Sequence, residues 1–196
     1  MKDFNSLWGS LAAIRLHLLI STALFFASLG MGYGYAFMYP ERAQGLFEVL
    51  QRMISQRITD PSALSMAYAI FMNNLLASFI VMSGGLGLGV LSITGIMFNG
   101  IILGMVVYVV KSESILLLFS ILPHGIIELP IFLISTAIGL KLGQEVLNKL
   151  RRKGESRIKK ELKEGLIFYL RWIVPLLLLA AIIEATISMR MAQFLK

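Results

Sequence analysis

The chain has no cysteine, which excludes disulfides and thiolate metal sites and removes any redox-compartment signal. Charge is scarce too. Only 15% of the 196 residues are Asp, Glu, Lys or Arg, against 57% hydrophobic, and mean hydropathy is +0.79, well beyond a soluble domain. Histidine occurs twice, as His17 and His124, so no one helix carries the two histidines of a zincin motif. Nor is a cleavable leader expected. The first apolar stretch, about 16–39, is longer than a signal h-region and runs into Gly32-Tyr33-Gly34-Tyr35 without a small-residue cleavage pattern.

What is present is long apolar runs, and the expectation is an all-α, polytopic transmembrane helical bundle forming a single membrane domain over 1–196. A hydrocarbon core needs about 20 apolar residues per helix. The stretch from Pro61 to Val110 has no charged residue and is about twice that length, with Ser83-Gly84-Gly85-Leu86-Gly87-Leu88-Gly89 in its middle. Glycine weakens helix and favours a turn there, splitting the stretch into two spans. Five spans result, about 16–39, 62–82, 90–110, 115–140 and 166–189. The fourth contains Pro123 and Pro130 and is expected to be broken or kinked. Pro123 suits the first turn of a helix whose preceding piece, Ile115 to Leu122, is a separate short segment.

Two regions read as amphipathic or charged. In 41–60, Phe47, Leu50, Ile54 and Ile58 recur at helical spacing while Glu48, Arg52 and Arg57 point elsewhere, a pattern shared by a surface helix in the membrane interface and a solvated connector. The region 141–171 holds ten of the eighteen Lys and Arg residues. Under the positive-inside rule this makes it a cytoplasmic loop, with a helix or hairpin at 149–164. Counting back from it puts the N-terminus in the cytoplasm, the glycine turn inside and the C-terminus outside. The net charge of +7 is therefore a topology signal and calls for no nucleic-acid partner.

Within the spans, the polar residues are Asn73, Asn74, Asn99, His124, Glu128 and Glu184. A carboxylate at mid-membrane costs about 3 kcal/mol on insertion scales, so Glu128 needs a partner or an aqueous cavity. His124 and Glu128 are four residues apart on one helical face, a spacing that serves a divalent metal such as zinc, a proton relay or a plain structural pair. A metal would need further ligands, for which Glu184 or a second subunit is the candidate. Asn73, Asn74 and Asn99 are expected to form a buried polar cluster joining helices. Glycines recur at spacing four, Gly30 with Gly34, Gly85 with Gly89, Gly100 with Gly104 and Gly139 with Gly143. Such pairs permit close helix approach and fit a compact bundle and a homodimer.

In order along the chain, Phe71-Met72-Asn73-Asn74, the glycine-rich turn, Phe98-Asn99-Gly100, Leu122-Pro123-His124-Gly125-Ile126-Ile127-Glu128-Leu129-Pro130 and Ile183-Glu184-Ala185 together resemble the stage II sporulation protein M family, over about Leu16 to Met189. The resemblance implies a five-span inner-membrane protein. It also implies a role like the namesake's, a membrane scaffold that recruits peptidoglycan hydrolases and is not itself an enzyme. The readings carried forward are a non-catalytic scaffold for other membrane or extracytoplasmic proteins, a transporter or permease subunit with a polar or metal site at His124 and Glu128, and an intramembrane metalloenzyme.

Overall fold

The computed structural model describes residues 7–57, 62–113, 115–152 and 157–194, with side chains described for 7–53, 62–111, 127–152 and 157–186. Helix α1 (Leu7–Met38) is followed by α2 (Pro40–Arg57), α3 (Ala63–Ser83), a short 3-10 turn (Gly84–Gly87), α4 (Val90–Glu113), α5 (Ile115–Leu150), α6 (Ile158–Phe168), a π-helical turn (Tyr169–Ile173) and α7 (Val174–Phe194). No strand occurs among the described residues. Five helical segments are long and apolar enough to cross a membrane: Leu7–Met38, Ala63–Gly87, Val90–Lys111, Ile127–Leu150 and Ile158–Thr186. All backbone groups of such a segment bond within it, which is what a hydrocarbon solvent demands.

Hydrogen bonding runs almost without a break from α1 into α2. The Tyr39 amide donates to Tyr35 and the Ala43 amide to Tyr39, so the chain bends at Pro40, whose missing N–H and fixed φ suit a first helical position. The bend folds α2 onto the end of α4, where Ala36, Ala43 and Val109 form a small core with Phe47 and Tyr108 against it.

The glycine turn joins α3 to α4 through two left-handed residues, Leu88 (φ 60°) and Gly89 (φ +77°). Glycine takes that conformation at no steric cost, whereas Leu88 adopts it against its preference. The turn is held down by close contacts onto its neighbours' backbone carbonyls. The Ser92 hydroxyl donates to the Val81 carbonyl at 2.6 Å, and a Cβ on Gly139 of α5 would sit 3.0 Å from the Met82 carbonyl.

Helices α1 and α4 run parallel. Their paired positions advance in step: Phe25 and Ser28 lie against Gly100, Leu29 and Tyr33 against Gly104, Gly32 against Ile101, and Tyr33 is edge-on to Tyr108 at 5.4 Å. The glycines at spacing four on α4 are thus spent inside the chain, on α1. By contrast, Gly30 and Gly34 open onto empty space.

One sequence expectation narrows here. Helix α5 is continuous from Ile115 to Leu150, so Pro123 and Pro130 leave no break and, of the two alternatives, only a bend remains. In the basic region 141–171, where a helix or hairpin is expected at 149–164, α5 extends to Leu150 and α6 starts at Ile158. Lys, Glu and Leu are good helix formers, and charge by itself does not end a helix.

Candidate functional site: a polar cleft between α3 and α4

Beyond the glycine turn, α3 turns to pack on α7 and α5, while α4 turns to pack on α1 and α5. Near the turn they still touch, Val81 facing Gly95. One turn further along α4 from Gly95, on the same face, is Asn99, and it is exposed. Across from it on α3, Asn74 is half-buried and Asn73 exposed, with the Asn73 amide donating to the Asn74 side-chain oxygen at 3.4 Å. Within one copy of the chain the three amides are not enclosed, two being exposed and one half-buried. Past the contact of Val81 with Gly95 each helix packs chiefly on others, which leaves the asparagines beside the gap between α3 and α4.

Helix α5 supplies the floor. Residues Glu128, Ser135, Gly139 and Leu142 recur at positions that share one helical face, and on that face Gly139 and Leu142 touch the α3–turn–α4 segment directly. Glu128 is 6% exposed. At a helical rise of about 1.5 Å per residue, Asn73 and Asn74 lie about 14 Å from the end of α3, Asn99 about 14 Å from the start of α4, and Glu128 about 16 Å from Gly139. One carboxyl and three amides thus share a level close to the middle of a hydrocarbon core about 30 Å thick.

The remaining predicted site residues are placed differently. Glu184 is half-buried on α7. It lies about four turns beyond Tyr169, whose hydroxyl donates to the Leu75 carbonyl at 2.7 Å and bonds Ser78 at 2.9 Å. Glu184 is thus toward the end of the bundle away from the glycine turn. The backbone of His124 is helical, but its side chain lies outside the described residues. Among the described residues, no group of three or more His, Asp and Glu is gathered as a metal site would require.

A second polar centre, at the glycine-turn end, went unread in the sequence. Lys141 Nζ of α5 meets Glu161 Oε2 of α6 at 2.5 Å, with side chains only 17% and 8% exposed. His17 Nε2 lies 2.7 Å from Gln144 Oε1, tying α1 to α5. Beside the ion pair a cavity of about 20 Å³, bounded by Ser10, Ile14, Phe168 and Glu164, has room for about one water. Lys141 and Glu161 are too far apart in sequence for any helical-spacing rule to connect them.

A five-span bundle with a mid-membrane carboxyl, a glycine turn and amides on both adjoining helices is the arrangement to set beside known proteins. The family model described as "Stage II sporulation protein M" matches residues 21–189. The chain belongs to this family. It is a multi-pass membrane protein of that family, and it is similar to two uncharacterised proteins of Methanocaldococcus jannaschii. One is 31% identical over 131 residues, covering 65% of this chain and 73% of the relative. The other is 28% identical over 201 aligned residues, covering 98% of this chain and 83% of the relative. No solved structure matches the chain significantly.

Proposed function

We propose that this member of the stage II sporulation protein M family is a non-catalytic membrane scaffold that assembles partner proteins at the bilayer surface. The observation that carries the proposal is α2. One side of this helix is fixed to the bundle through Ala43 and Phe47, while Leu46, Val49 and Met53 form a second apolar stripe, each about half exposed. The charged side of α2, with Glu48 and Arg52, faces away from both. A helix pinned on one face and apolar on another presents a rigid docking edge at the membrane interface. The test is affinity purification from native membranes after cross-linking through a cysteine placed at Val49. A partner should be recovered reproducibly, and replacing Leu46 and Met53 with alanine while the cysteine at Val49 is kept should abolish its recovery without lowering the melting temperature. Recovery of this chain alone would overturn the reading.

The distribution of cations supports a topology with α2 on the outer side of the cell membrane, the N-terminus cytoplasmic and the C-terminus external. His17, Gln144, Lys141, Glu161 and the glycine turn gather at one end of the bundle, which agrees with an inner end defined by the cations. A topology reporter at Gly154 should read cytoplasmic and one after Lys196 external. The same side for both would refute the five-span orientation.

A second reading is favoured by the burial of Glu128 at the floor of the cleft: a transporter or permease subunit whose mid-membrane site is built on Glu128 and His124, with Glu184 or a second subunit completing a divalent ion such as zinc. Purified protein should then carry the ion by elemental analysis. His124→Ala or Glu128→Gln should remove it, and affinity should fall below about pH 6 as the imidazole protonates. Protein prepared without chelator that holds far less than one ion per dimer, and whose melting temperature ignores added zinc, would eliminate this reading.

A further inference from the structure

The exposed amide of Asn99 is out of place for a single copy in lipid. It lies near mid-membrane, it is open to the surroundings, and it makes no side-chain hydrogen bond among the described residues. An amide left so in hydrocarbon carries an unmet donor and acceptor, each costly where no water can replace the missing bond. Some occupant of the cleft must therefore present polar groups at that depth. Lipid headgroups lie about 15 Å away, at the edges of the hydrocarbon layer, and a protein docked on the surface does not reach the level either. Water and another membrane-spanning segment both reach it, and the exposed apolar side chains beside the amide, Phe98 and Leu91, favour the segment.

We infer that the α3–α4 cleft is the dimer interface of this protein, closed by the same cleft of a second copy through the amides of Asn99, Asn74 and Asn73. Two features favour a second copy over an unrelated helix. An amide offers both a donor and an acceptor and is therefore complementary to itself. A two-fold axis along the membrane normal sets every residue opposite residues of equal depth, and the three asparagines share one level on two helices, so amide meets amide without adjustment. The rim fits as well: Phe98 and Leu91 on α4, with Leu76 and Ile80 on α3, are exposed apolar side chains that would close around the polar centre. The glycines of α4 play no part in this interface, since Gly100 and Gly104 are already committed to α1.

The absence of native cysteine makes the test direct. Full-length protein carrying Phe98→Cys, oxidised in native membranes, should give a linked dimer. Leu19→Cys, on α1 and equally exposed, should not. Mass measurement in lipid nanodiscs should find a dimer whose association constant falls about fivefold to thirtyfold in Asn99→Val and is restored in Asn99→Gln, the range expected from losing one or two interhelical hydrogen bonds. A protein that is monomeric in the bilayer would overturn the inference. So would a dimer that links equally through Leu19→Cys, or one indifferent to Asn99→Val. These outcomes leave the role of α2 untouched, because partner recovery through Val49 is read separately.

Discussion

Replacing Gly100 or Gly104 with leucine is expected to destroy the fold, while the same change at Gly30 or Gly34 leaves it intact. A Cβ on Gly100 would stand 2.7 Å from the Phe25 carbonyl and collide with the Ser28 hydroxyl, and one on Gly104 would stand 2.8 Å from the Tyr33 amide. Those neighbours are largely backbone of α1 and cannot rotate away, so the two helices must separate. Overpacking a well-packed contact costs about 1–3 kcal/mol, and a side chain wedged between two backbones belongs at or above the top of that range. At Gly30 and Gly34 nothing lies within 4 Å, and a leucine there simply adds apolar surface. Thermal unfolding in detergent separates the two classes. Equal losses at all four positions would mean that α1 and α4 do not pack as described.

The next largest effect is expected at the Lys141 and Glu161 pair. Removing one partner by Glu161→Gln or Lys141→Met leaves the other without its buried ion-pair partner, and the cost should be about 3–5 kcal/mol. Replacing both, with Met at Lys141 and Leu at Glu161, should recover most of that loss, because two desolvated charges are exchanged for apolar contact with Ile138 and Phe168 nearby. A double variant as unstable as either single one would show that the pair is hydrated rather than buried.

The number and type of elements were legible because apolar length is a strong signal in a membrane protein, and the glycine turn was legible because so many glycines interrupt an otherwise uniform run. Which glycines matter was not. Gly30 with Gly34 and Gly100 with Gly104 have the same spacing, yet one pair faces open space and the other α1; only the third dimension distinguishes them. The asparagines illustrate a related limit. Their depth follows from position along each span, but whether they meet depends on how fast α3 and α4 diverge, which is set by packing on α7 and α1. Glu128 could be flagged from its cost in lipid, and its position on the cleft floor follows from the face it shares with Gly139. The Lys141 and Glu161 pair was hidden because it joins two helices across a turn inside a segment that reads as uniformly charged.

The parallel pairing of α1 with α4 also sets a timetable for assembly. Neighbouring antiparallel spans can pack as each one leaves the ribosome, whereas the groove on α1 that receives Gly100 and Gly104 must wait for a partner some seventy residues further along the chain. At about 5–20 residues per second, α1 spends roughly 3 to 14 s with Ser28, fully buried in the finished bundle, facing lipid or the insertion machinery, and Ser21, whose hydroxyl finally donates to Leu133 of α5, waits roughly 6 to 22 s. The bond from Ser28 to the Phe25 carbonyl, 2.9 Å within α1 itself, satisfies that hydroxyl during the wait, and so does the bond from Ser21 to the Leu18 carbonyl. A first span that carries its own temporary hydrogen-bond partners can remain in the membrane until the fold overtakes it.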